Sequence, residues 1–133
     1  RAMTDPITDK VRGIGTVASD GYLLMVKCDF EYPGVYVSLA GPGAGFFRNK
    51  DITYRFDSNQ PVTSNWIKSN NALILGTDVG VTAFVRGARP ASRIVIRIPG
   101  VSASSQPDDV IFSGAGASAT IAQVYRTCGQ ALP

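Results

Sequence analysis

The chain has 133 residues, 44% apolar and 17% charged, with 13 basic against 10 acidic side chains and a formal net charge of +3. That length suits one domain around a single core, so residues 1–133 are taken as one unit, with 1–19 a loose lead-in and 20–129 the folded part. The composition is neither disordered nor fibrous, no apolar run approaches the roughly 18 residues that cross a bilayer as a helix, and the charge is too mild to call for nucleic acid. Histidine is absent, which removes the usual general base near neutral pH and the commonest metal ligand. Histidine-dependent triads and most zinc sites are excluded, and neither a metal nor a cofactor is expected.

In chain order, the first convincing strand is YLLMVKCDF, 22–30, with Leu24, Val26, Cys28 and Phe30 on one face and Lys27 and Asp29 on the other. EYPG, 31–34, reads as a tight turn into VYVSL, so these two runs predict a hairpin. GPGAGFF, 41–47, is a glycine loop. DITYRFD, 51–57, alternates Ile52, Tyr54 and Phe56 against Thr53, Arg55 and Asp57, and VTSNWIKS after the DSNQP turn supplies a second hairpin arm bearing the lone tryptophan, Trp66. SNN breaks the chain again before ALIL.

Asp78 to Gly87 differs, because Val81, Phe84 and Val85 fall at helical spacing, with Asp78 able to cap the start and Gly87 the end. SRIVIRI, 92–98, points Ile94, Ile96 and Ile98 one way and Arg93, Val95 and Arg97 the other. A polar loop, 100–109, leads to VIF as the last strand. From Ser118 as N-cap, Ile121, Val124, Tyr125 and Cys128 share one helical face, and Gly129 follows. The fold expected is mainly β, an antiparallel curved sheet or small β-sandwich, with a short internal helix and a C-terminal helix packed on it.

The two cysteines, Cys28 and Cys128, are too few for a zinc site. Both sit on apolar faces, so a disulfide is the preferred pairing, with two buried reduced thiols the alternative; the bond implies an oxidising compartment. G114-A-G116-A-S-A119 matches the loose dinucleotide-binding pattern G-x-G-x-x-A. It comes too late in the chain for the second strand and acidic residue that such a unit needs, so a small-residue turn is the better account. Arg86, Arg89, Arg93 and Arg97 cluster within twelve positions and could receive an acidic partner or a phosphate. Asp108 and Asp109 read as solvated loop carboxylates. Ser38, Ser64 and Ser113 lack a histidine to activate them. The candidate binding face is therefore Arg55 and Asp57 on one strand with Arg93 and Arg97 on another.

The stretch DITYRFDSNQPVTSNWIKSNNALIL, with LLMVKCDFEYPGVYVSL before it and RIVIRI and IFSGAGASATIAQVYRTC after it, resembles the TagO/VasI-like family of accessory proteins associated with bacterial type VI secretion. More loosely it resembles exported proteins of the invasion-associated locus B type. The most telling positions are Tyr54, Arg55, Phe56, Asp57, Trp66 and Cys128, and the likeness runs over roughly 20–129. It implies a periplasmic or secreted, non-enzymatic accessory protein that works by contact with a protein partner of the envelope or secretion apparatus. The competing expectations are a small nucleotide- or phosphate-using enzyme and a polyanion-binding module.

Overall fold

The computed structural model describes residues 2–30, 34–42, 49–75, 77–99 and 106–133. The expected turn at 31–34, the glycine loop at 41–47 and the loop at 100–109 lie largely outside these residues.

The described residues form nine strands in one antiparallel sheet. They are β1 (Ala2–Thr4), β2 (Val11–Ser19), β3 (Tyr22–Cys28), β4 (Tyr36–Ala40), β5 (Asn49–Phe56), β6 (Val62–Ser69), β7 (Ala72–Leu75), β8 (Arg93–Ile98) and β9 (Asp108–Ser113), with helices α1 (Asp78–Ala88) and α2 (Gly114–Thr127). The strand order is β1-β2-β3-β4-β7-β6-β5-β8-β9. The curved-sheet form of the expectation is therefore the observed one. Both expected hairpins are present, with Val26 opposite Val37 in the first and Thr53 opposite Thr63 in the second.

One face of the sheet is the core. Leu24 and Val26, Val37 and Leu39, Leu73 and Leu75, Trp66, Ile52, Tyr54 and Phe56, the three isoleucines of β8, and Val110 with Phe112 are all buried on it. Helix α2 touches β2, β3, β8 and β9, strands from both ends of the sheet. The sheet must curl around that helix to meet it twice, and β2 and β9 approach each other as a result.

Residues 2–19 differ from the lead-in expected there, because they hold β1 and β2. β2 pairs with the whole of β3, from Gly13 opposite Cys28 to Ser19 opposite Tyr22, through an Asp20-Gly21 turn with φ of 51° and 81°. Two consecutive left-handed residues are what a two-residue hairpin requires to match the twist of its strands. β2 also carries the floor on which α2 lies. A Cβ at Gly15 would come 2.4 Å from Thr120 Cγ2, and one at Gly13 would come 3.1 Å from Cys128 Sγ.

The helix ends also differ from expectation. α1 is capped by Thr77, one residue before Asp78, whose hydroxyl accepts from Gly80 N at 3.0 Å. α2 begins at Gly114, four residues before the expected cap Ser118, and is capped by Ser113, whose hydroxyl accepts from Gly116 N at 3.1 Å. The glycine-alanine stretch is thus the first turn of a helix, not a turn before one. Small residues are needed there by proximity: a Cβ at Gly114 would fall 1.9 Å from the Ala91 carbonyl oxygen.

Candidate functional site: the outer face of β5, β8 and β9

The outward rows of three neighbouring strands bring the expected residues together. Across the sheet, Thr53 stands opposite Arg97 and Arg97 opposite Asp109; Arg55 stands opposite Val95 and Val95 opposite Ile111; and Arg93 stands opposite Ser113. Val95 is half-buried and Ile111 is 49% exposed, so an apolar pair lies at the centre with arginines on either side.

These side chains differ in what they already hold. Arg97 forms a two-pronged ion pair with Asp109, Nε to Oδ1 at 2.7 Å and Nη2 to Oδ2 at 2.9 Å. The hydrogen bond from Arg97 holds the Asp109 carboxyl below its usual pKa, and the same bond pushes Arg97 up. Arg55 donates from Nε to Asn59 O at 2.8 Å and from Nη2 to Ser58 O at 3.0 Å, which clasps the turn between β5 and β6. Both acceptors are backbone carbonyls, so the clasp brings no carboxylate to Arg55. Arg93 is exposed and has no side-chain partner among the described residues.

Asp57 has a different task. It sits at φ 52°, a left-handed conformation that aspartate tolerates better than most residues. From there its carboxylate accepts from Ser92 N at 3.0 Å and Arg93 N at 3.0 Å, while its own N–H donates to Arg93 O at 3.0 Å. It fastens the end of β5 to the start of β8. Asp57→Ala is expected to lower the unfolding free energy by about 1–3 kcal/mol, through the two abandoned N–H groups and the left-handed backbone. Arg97→Ala, which breaks only an exposed, solvent-screened pair, should cost clearly less. Urea unfolding of the two variants side by side checks the order.

The sequence cluster of four arginines is divided by the fold. Arg93 and Arg97 belong to this face, whereas Arg86 and Arg89 lie at the end of α1 beside Pro90, Ser118 and Pro133. The serines weighed as nucleophiles have structural positions: Ser113 caps α2, Ser64 Oγ accepts from Trp66 Nε1 at 3.2 Å, and Ser38 is fully buried with its hydroxyl unpartnered. Asp108 and Asp109, expected in a loop, are strand residues of β9. Among the described residues no group of three or more Cys, Asp or Glu could hold a metal ion, and no helix is long and apolar enough to cross a membrane.

Cys28 and Cys128 are joined, with a Cα–Cα distance of 6.3 Å and a sequence separation of 100. The bond ties the end of β3 to the residue that caps α2. Fold and face together define a disulfide-stapled domain of one curled antiparallel sheet, with an arginine-edged apolar patch on the outside. No family model matches the chain, and no curated protein or solved structure matches it either.

Proposed function

We propose that the protein is an exported binding module of the bacterial envelope that acts through contact with a protein partner and not by turnover. The observation that carries this reading is the Cys28–Cys128 disulfide, because such bonds persist in oxidising compartments and are rare in the reducing cytosol. The outer face of β5, β8 and β9 is the contact surface in this reading. Protein interfaces favour a small apolar centre with arginine beside it, and Val95 and Ile111, with Arg55 across from Val95 and Arg93 two residues along its strand, have that composition. Arg55 is held in place by the backbone carbonyls of Ser58 and Asn59, so little side-chain entropy is lost when it meets a partner. An acidic protein surface suits Arg55 and Arg93, which no carboxylate among the described residues neutralises.

The finer proposal is an accessory role in type VI secretion, supported by the resemblance of Tyr54-Arg55-Phe56-Asp57, Trp66 and Cys128 to that family. These residues also have structural duties here. Tyr54, Phe56 and Trp66 build the core, Arg55 and Asp57 hold strand ends, and Cys128 closes the staple. The resemblance therefore bears more directly on the fold than on the partner.

A photo-crosslinking side chain at position 111, in protein made in its own host, tests the proposal. We expect one discrete adduct in the envelope fraction, blocked thiols before reduction, and loss of the adduct in an Arg93→Glu background. Free thiols with a cytosolic location would overturn export. An adduct unchanged by Arg93→Glu would overturn the contact face.

A further inference from the structure

The middle of the sheet carries an outer face of another kind. On β3, β4, β7 and β6 the register sets Met25 beside Ser38, Ser38 beside Ile74 and Ile74 beside Ile67, one row across four strands. On one side of it the next row runs Leu23, Ala40, Ala72, Ser69. Ile67 is 49% and Leu23 39% exposed, Met25 and Ile74 are half-buried, and Ser38 lies fully buried between its two larger neighbours. On the other side the next row begins with Lys27 opposite Tyr36 on β3 and β4, and ends with Asn65 opposite Asp51 on β6 and β5. Among the described residues of these three rows, Lys27 and Asp51 are the only charges. They stand four strand spacings apart, roughly 19 Å, too far to pair within one chain. Asp51 accepts from Asn65 Nδ2 at 3.1 Å, and the Lys27 ammonium lies 5.3 Å from the Tyr36 ring centre. Neither is in an ion pair among the described residues.

We propose that two copies of the chain pair face to face through these rows, about a two-fold axis that runs along β7 over Ile74. β7 is the third of the five strands β3-β4-β7-β6-β5, so this axis exchanges β3 with β5 and β4 with β6. Lys27 of each copy then meets Asp51 of the other, and symmetry makes the ion pair twice. Ile74 meets its own counterpart, and Ile67 comes over the low point that Ser38 leaves between Met25 and Ile74. The charges select a second copy over an unrelated apolar partner, because opposite signs stand at equal distances on either side of one axis. Two cations or two anions in those places would set like charges against each other. Sheets packed face to face stand about 10 Å apart and are turned by about 30°, a gap that a lysine reaching toward an aspartate spans. The face is small for a specific interface, so association in the micromolar range is expected. The proposal is independent of the Arg55–Arg93 contact face, with which it shares no side chain.

The test is sedimentation equilibrium of the oxidised chain across the micromolar range, combined with charge reversal. We expect a monomer–dimer equilibrium whose Kd rises at least ten-fold in Lys27→Glu and in Asp51→Lys, and returns close to its starting value when both changes are in one chain. An equimolar mixture of the two single variants should recover as well, because every facing pair is then again one acid against one base. That recovery requires both variants to be folded, and it reads contact between chains and not a change within one. Arg93→Glu on the other face should leave the Kd unchanged. A chain that stays monomeric throughout, a dimer indifferent to both reversals, or a mixture that fails to recover would overturn the proposal.

Discussion

Replacing both cysteines, Cys28→Ala with Cys128→Ala, is expected to lower the unfolding free energy by about 2–5 kcal/mol relative to the oxidised protein. The size follows from what the bond encloses. Its two ends are 100 residues apart, and in the chain-entropy account a cross-link of that span removes about 4–5 kcal/mol of freedom from the unfolded chain. Alanine at both positions avoids an unpaired thiol and preserves most of the packing, so the loss reports on the unfolded state more than on the native one. The m-value should rise as well, since an unfolded chain released from its loop exposes more surface. Urea unfolding with and without reductant checks both quantities. Equal midpoints would mean that α2 is held by packing alone, through Ile121, Val124 and Tyr125 on the floor made by Gly13 and Gly15.

That floor was not legible in the sequence, for a physical reason. β2 reads VRGIGTVAS, and its core-facing side carries glycines instead of the branched apolar residues that mark a buried strand. The glycines are there because a helix and a disulfide pass over them at contact distance, a demand made by tertiary packing and invisible to periodicity. One local signal was available. Asp20-Gly21 between two alternating runs is a strong two-residue hairpin signature, and it would have located β2 by its pairing with β3.

The strands of the central sheet were legible because each obeys period two, as do Ile94, Ile96 and Ile98 in β8. The sulfur pairing was legible too, since Cys28 and Cys128 both fall on apolar faces. The start of α2 was not. The glycines at 114 and 116 weaken the helix propensity of the run and make it read as a turn, and the close approach of Gly114 to Ala91 O appears only when β8 and β9 are side by side. For the candidate site, alternation placed Arg55 on the polar side of one strand and Arg93 and Arg97 on the polar side of another. It could not show that Arg97 is already engaged by Asp109, or that Arg86 and Arg89, neighbours in sequence, open on a different surface. Those facts depend on strand order, and the order β5-β8-β9 has no local signature.

Phe84→Ala is expected to cost about 3–5 kcal/mol. Phe84 is fully buried and is the ring that α1 inserts into the sheet. Its centroid lies 5.1 Å from Tyr54, 5.3 Å from Phe56 and 6.2 Å from Trp66, all edge-to-face. Removing it therefore takes away buried apolar area and three ring contacts of favourable geometry. Collapse of the cavity is blocked from both sides: β5 and β6 are locked by ladder hydrogen bonds, and α1 already lies so close that a Cβ at Gly87 would come 2.3 Å from the Phe56 ring. Phe84→Leu, which refills most of the space, should recover more than half of the loss. Loss of the near-ultraviolet signal of Trp66 with retained far-ultraviolet ellipticity would locate the damage in this cluster. If Phe84→Ala costs less than about 1 kcal/mol, the helix is held by Val81, Val85 and Ala88, and the aromatic cluster is not the joint between helix and sheet.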